Sequence, residues 1–265
     1  MQVPCIAVAC LLLLPLAAGV QAATAAAPAA HATATPAYVV KAMNDPARAA
    51  DKKDDQERQM AAVLTFSGVK PGDTVLELIP GAGYWTRAFS QIVGPEGHVY
   101  AVWPAATKPD SKSLVMWQKL AKTPHYRNVS VMQEPMAQPR APVKVDLVFT
   151  DDNYHDLHDP YWGADRKPLD MAEFNRAVYA ALKPGGLFVV VDHIAPAGSG
   201  TRDTDTLHRI DPAVVKQEVE SAGFVFAGSS DALINPKDPL DIKVFDPSIR
   251  HHTSQFIYRF QKPAK

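Results

Sequence analysis

Cysteine is almost missing: the 265 residues contain two, Cys5 and Cys10, both within the first ten positions. The rest of the chain therefore has no thiol for a disulfide, a thiolate-bound zinc ion or nucleophilic catalysis. A surplus of positive charge is missing as well. Lys and Arg number 27 against 28 Asp and Glu, a formal net charge of -1. That balance argues against a nucleic-acid partner, which needs a cationic face to neutralise phosphates. The one dense charge cluster, residues 51–58, mixes both signs and reads as a solvated helix face. Nor does any apolar run reach the ~20 residues of a spanning helix.

The longest such run covers residues 5–18 and is followed by Val20-Gln21-Ala22, a small-x-small cleavage pattern. This is the layout of a secretory signal, although residues 1–4 carry no Lys or Arg. Cys10 precedes the Leu run instead of closing it, which speaks against a lipoprotein. The expectation is a signal peptide over 1–22, a flexible Ala/Thr/Pro leader over 23–37 and one domain over 38–265. It places the mature protein in the periplasm or outside the cell, with no stable membrane insertion once the signal is removed.

In the remaining chain, apolar strands alternate with amphipathic helices. Strands are expected at 74–78, 98–102, 128–132, 145–150, 187–191, 224–228 and 255–260. Helices are expected from Pro46 to Gly68, over 84–93 and 113–120, from the Asp170 cap along Met171, Phe174, Val178 and Leu182, and from Pro212 to Gly223. Strict alternation implies an α/β fold with a doubly wound, mostly parallel seven-stranded sheet. No helix separates the last two strands, so the final one is expected to be antiparallel.

Val75-Leu76-Glu77-Leu78-Ile79-Pro80-Gly81-Ala82-Gly83-Tyr84 runs from a strand into a helix. Gly81 and Gly83 let backbone approach a ligand closely, and the helix N-terminus offers free N–H groups to a carboxylate. Here the chain resembles motif I of the class I S-adenosylmethionine-dependent methyltransferases. Lys183-Pro184-Gly185-Gly186-Leu187 is similar to that family's turn before a later strand. Within the family the chain is similar to exported bacterial predicted methyltransferases.

The resemblance implies S-adenosylmethionine as cofactor, held by Glu77, Ile79, Pro80, Gly81, Ala82, Gly83, Trp103 and Asp151. Glu77 would meet the cofactor's ammonium. Two positions depart from the pattern. The family usually has Gly at Ile79, and an acid for the ribose hydroxyls where this chain has Trp103. An indole could stack on adenine, wall the pocket or simply pack, but it cannot accept two ribose hydrogen bonds.

A second cluster, Asp151-Asp152-Asn153-Tyr154-His155-Asp156, follows a buried strand, and Asp192-His193 ends a neighbouring one. Carboxyl ends of strands line the ligand crevice in such sheets, and both groups are expected at one rim. Tyr154, His155, Asp192 and His193 are the candidate catalytic residues, either histidine serving as base toward a small-molecule acceptor. No metal site is assigned. Asp151 with Asp192-His193 is nevertheless similar to the acids of divalent-cation O-methyltransferases, with His193 where those enzymes favour Asn. The remaining alternative is a non-catalytic, exported ligand-binding protein on the same fold.

Overall fold

The computed structural model describes Met1 and residues 34–161 and 167–265. Residues 2–22 of the expected signal and 23–33 of the leader lie outside the described residues; the leader's last residue, Ala37, already opens a helix. None of the described helices is long and apolar enough to cross a membrane.

In chain order the elements are α1 (Ala37–Met43), α2 (Met60–Ser67), β1 (Thr74–Leu78), α3 (Tyr84–Val93), β2 (His98–Pro104), α4 (Lys112–Leu120), β3 (Val129–Glu134) and β4 (Val145–Asp151). There follow α5 (Met171–Ala181), β5 (Leu182–His193), α6 (Thr204–Leu207), α7 (Pro212–Ser221), β6 (Val225–Ser230) and β7 (Gln255–Gln261). The seven strands form one sheet in the order β3-β2-β1-β4-β5-β7-β6. The first five are parallel, and β7 runs antiparallel to both β5 and β6. This is the sheet that the alternation of elements implied.

Two helix starts, those of α5 and α7, follow capping aspartates. The Asp170 carboxylate accepts from the amides of Ala172 and Glu173 at 2.9 and 3.1 Å. Asp211 accepts from Ala213 with Pro212 in the first turn, where its missing N–H is not needed. Leu182, expected to close the α5 stripe, instead begins β5 by pairing with Val145. The next pair is Leu147 with Leu187, so Lys183–Gly186 bulges out of the ladder, with Gly185 at φ +80°.

Apolar side chains fill both faces of the sheet because parallel strands are covered on both sides. Alternation along each strand decides which face a residue serves. Val75, Val99, Ala101, Phe149, Val189 and Val191 pack with α1 to α4. Leu76, Leu78, Val102, Val148 and Val190 pack with α5 and α7. The order reverses between β1 and β4, and the crevice at their carboxyl ends is where such sheets hold ligands.

Candidate active site

Glu77 stands in β1 on the α3 face. It is 1% exposed, and among the described residues neither carboxylate oxygen has a hydrogen-bond partner of good geometry, Thr86 being its nearest donor. Burial pushes its carboxyl up to about 8, opposed by the nearby Thr86 hydroxyl and reinforced by Asp151. An unpartnered buried carboxylate is costly unless a cation joins it.

The loop beyond it is fixed by its own turn. The Gly83 amide donates to the Pro80 carbonyl at 2.7 Å, and the Trp117 indole donates to the Ala82 carbonyl at 3.1 Å. Gly81 lies at φ +53° with open space where a Cβ would point. Ile79 lies at φ +53° too, in a region that a β-branched residue rarely adopts. The glycine usual at this position in the resembling family would sit there without strain. A small cavity of about 220 Å³ is bounded by Glu77, residues 78–82, Arg58, Trp85 and residues 151–153.

Asp151 closes that cavity from the end of β4. Its Oδ2 accepts from Arg58 at 2.9 Å and from the Trp85 indole at 2.7 Å. Burial pushes its carboxyl up to about 7, with Asp152 adding to the rise and Arg58 opposing it. Arg58 also lies over the Tyr84 ring, 4.9 Å from its centroid. The 51–58 cluster is thus not a solvated helix face. It is a succession of turns that ties inward, with fully buried Arg48 bound to Asp55 and Arg87 bound to Asp51.

A larger cleft of about 730 Å³ shares Arg58, Trp85, Asp151 and Asp152 with the small cavity. His193 lines it, with Leu233 and Phe245 from the long loop before β7. The His193 ring meets Thr253 at 3.0 Å and Asp152 at 3.4 Å. Burial lowers its pKa to about 4 despite Asp192, so it is neutral at neutral pH. Asp152 accepts from Gln255, and burial with Asp192 nearby raises its carboxyl to about 6.

The four candidate catalytic residues do not share one rim. Successive residues of a strand face opposite ways, so His193 turns to the cleft while Asp192 turns to the α5–α7 side. Asp192 is fully buried there. One oxygen lies 2.7 Å from His155 Nδ1 and also accepts from the His193 amide; the other accepts from the His155 amide. Burial opposes protonation of His155, but Asp192 and Asp156 outweigh it and hold its pKa well above the usual value. Tyr154, expected among the catalytic residues, does not face the cleft. It is completely buried, donating to Glu218 at 2.9 Å and accepting from Asn175 at 2.8 Å.

Trp103 is also in the core. β2 runs on to Pro104, so position 103 has the parity of Val99 and Ala101 and packs against the α1–α4 helices, 3% exposed. Among the described residues the indole lines neither the small cavity at Glu77 nor the larger cleft beside it. The magnesium-type set fails for a related reason: Asp192 is committed to His155, and Asp151 to Arg58 and Trp85. Among the described residues Asp151, Asp192 and His193 do not converge on one point.

The chain matches no family profile. It is 34% identical over 133 residues to the ubiquinone/menaquinone biosynthesis C-methyltransferase UbiE of a Marinomonas species, covering 50% of this chain and 47% of that one. The chain thus spans about half the length of the curated relatives it matches. A solved sarcosine dimethylglycine methyltransferase, itself described as putative, from Galdieria sulphuraria superposes with TM-score 0.55 at 15% identity. It covers 85% of this chain and 91% of its own. The fold is that of the class I S-adenosylmethionine-dependent methyltransferases. The same methyltransferase fold also underlies the [4+2]-cyclase SpnF, which superposes with TM-score 0.56 at 14% identity over 79% of this chain and 81% of its own.

On this methyltransferase fold the residues fit the amino-acid end of the cofactor. Glu77 lacks a cation, Arg58 at the same cavity supplies a guanidinium for a carboxylate, and Gly81 leaves the loop open. Arg58 carried no sequence signal, since its partner Asp151 is 93 positions away.

Proposed function

We propose that the protein is an S-adenosylmethionine-dependent methyltransferase acting on a small molecule. The observation that carries this is the buried, unpartnered Glu77 carboxylate beside the glycine loop. The likeness in sequence to C-methyltransferases supports it. When bound, the cofactor would supply an electrophilic methyl group on a sulfonium.

Glu77 would hold the ammonium and Arg58 the carboxylate of the cofactor's amino-acid end, at the cavity that residues 78–82 also line. Asp151, drawn to Arg58 and Trp85, keeps the guanidinium facing the cavity. The acceptor occupies the cleft between Trp85, Leu233, Phe245 and His193. Transfer of this kind depends mostly on holding reactants in line. Asp152, its carboxyl near 6, is the group best matched to take a proton at neutral pH; neutral His193 orients it.

One observation favours a rival, a binding protein without turnover: no acid stands at the β2 end for a ribose, because Trp103 is in the core. Calorimetric titration with S-adenosylmethionine and its demethylated product tests both. Saturable binding that is strongly weakened in Glu77→Gln supports the cofactor site. The absence of any binding overturns it. Binding without methyl transfer across a panel of phenols, quinols and amines favours the rival.

The same reading has the protein exported, supported by the apolar run at 5–18 and the Val20-Gln21-Ala22 pattern. N-terminal sequencing of protein from its native host should begin near Ala23. Intact Met1 in a soluble cytosolic fraction would overturn it.

A further inference from the structure

On the α5–α7 side of the sheet, three side chains that the methyl-transfer reading does not use converge on one point. His155 Nε2 lies 3.2 Å from His208 Nδ1 and 3.1 Å from Asp156 Oδ1, and His208 Nδ1 lies 3.4 Å from the same oxygen. We propose that His155, Asp156 and His208 form a binding site for a divalent transition-metal ion, zinc foremost.

The dimensions support it. With metal–nitrogen and metal–oxygen bonds of about 2.0–2.1 Å, tetrahedral geometry puts neighbouring ligand atoms about 3.3 Å apart. The three observed edges are 3.2, 3.1 and 3.4 Å, so one point stands at bonding distance from all three atoms. Two imidazoles with one carboxylate suit zinc and its neighbours better than magnesium or calcium, which prefer all-oxygen sets.

The surroundings match a metal site in three further ways. His155 Nδ1 is engaged by the buried Asp192 carboxylate at 2.7 Å, the outer contact that orients a ligating imidazole and leaves Nε2 free for the metal. His208 adopts φ +54°, a left-handed conformation unfavourable for most side chains, directly after α6. Its ring packs on Phe245 with centroids 4.8 Å apart, which fixes the direction of Nδ1. Finally, Asp156 and His208 line a cavity of about 790 Å³, together with Met136 and Leu169. Asp159, buried with one carboxylate oxygen unpartnered, lines it too. Three protein ligands beside a cavity leave a fourth position for water or a ligand atom, the arrangement of catalytic rather than structural zinc.

This site is independent of the cofactor reading, and its test does not use activity. The full chain, stripped with chelator, is titrated with Zn²⁺ by calorimetry and with Co²⁺ by visible absorption. One equivalent should bind, with the intense d–d bands of four-coordinate Co²⁺. His208→Gly removes the ligand and suits the left-handed backbone; it should weaken binding tenfold or more. Asp156→Asn should do the same, whereas His251→Ala with His252→Ala should change nothing. Circular dichroism establishes that each variant is folded. Absence of binding, or binding unchanged in both folded His208→Gly and Asp156→Asn, would mean the cluster shares only a proton and overturn the site.

Discussion

A Cβ atom at position 83 would lie 2.0 Å from Nε1 of Trp117. The glycine loop is thus shaped by a helix that joins the chain more than thirty residues later, and its two glycines serve different ends. Gly83 makes room for an indole; Gly81 leaves its own space open.

Gly83→Ala should therefore combine a left-handed alanine with a clash. The first costs about 1–2 kcal/mol and the second about 1–3 kcal/mol. Gly81→Ala should cost only the first. Thermal or urea unfolding of the pair checks this, and equal losses would show that Trp117 can move aside.

Glu77→Gln separates stability from binding. The carboxyl titrates near 8 in the folded protein and near 4.5 when unfolded. A raised carboxyl contributes stability below the unfolded value that is lost as pH rises through the folded one. The variant should therefore gain in Tm over wild type between about pH 5 and 8. Wild-type affinity for S-adenosylmethionine should fall up to tenfold per unit as pH drops below about 8, since the cation requires the ionised form. The variant should show weak, pH-independent binding. Parallel profiles for the two proteins would remove Glu77 from the site.

Ile79 inverts an ordinary rule. Alanine usually stabilises relative to glycine, yet φ +53° reverses the preference. Ile79→Gly should be more stable than Ile79→Ala by about 1 kcal/mol. Denaturant midpoints decide, and the usual order would mean that the backbone relaxes on substitution.

Arg58→Ala should weaken cofactor binding at least tenfold while leaving the fold intact, because its head group is partly exposed. The Asp151 carboxyl, already near 7, loses its nearest cation and should rise further. Calorimetry and carboxylate NMR check the two halves separately.

Trp103→Asp should not restore ribose binding. It buries an unpaired carboxylate among Val99, Ala101 and neighbouring helices, and should destabilise by several kcal/mol. A folded variant with improved affinity would show that the β2 end can turn toward the cofactor.

The sheet was legible because most strands are short apolar runs followed by Gly, Pro or Asp, and α5 and α7 carry capping aspartates. Glu77 was singled out through the resemblance to motif I, an acid near the end of an apolar strand before a glycine loop. The sides of the sheet were misjudged where strand parity mattered. Asp192 and His193 adjoin in sequence and therefore diverge in space. Trp103 appeared to end a strand that continues one residue beyond it. The contributions of Arg58, Trp117 and His208 depend on partners 35 to 93 positions away, a distance over which no periodicity speaks.

The Asp192 carboxylate accepts from the backbone amides of His155 and His193, one in the segment after β4 and one at the end of β5. It works as a rivet through the sheet. It ties the segment that carries His155 to the peptide that carries His193 into the cleft. The place of His193 at the cleft wall and that of His155 beside Asp156 and His208 thus share one hydrogen-bonding carboxylate.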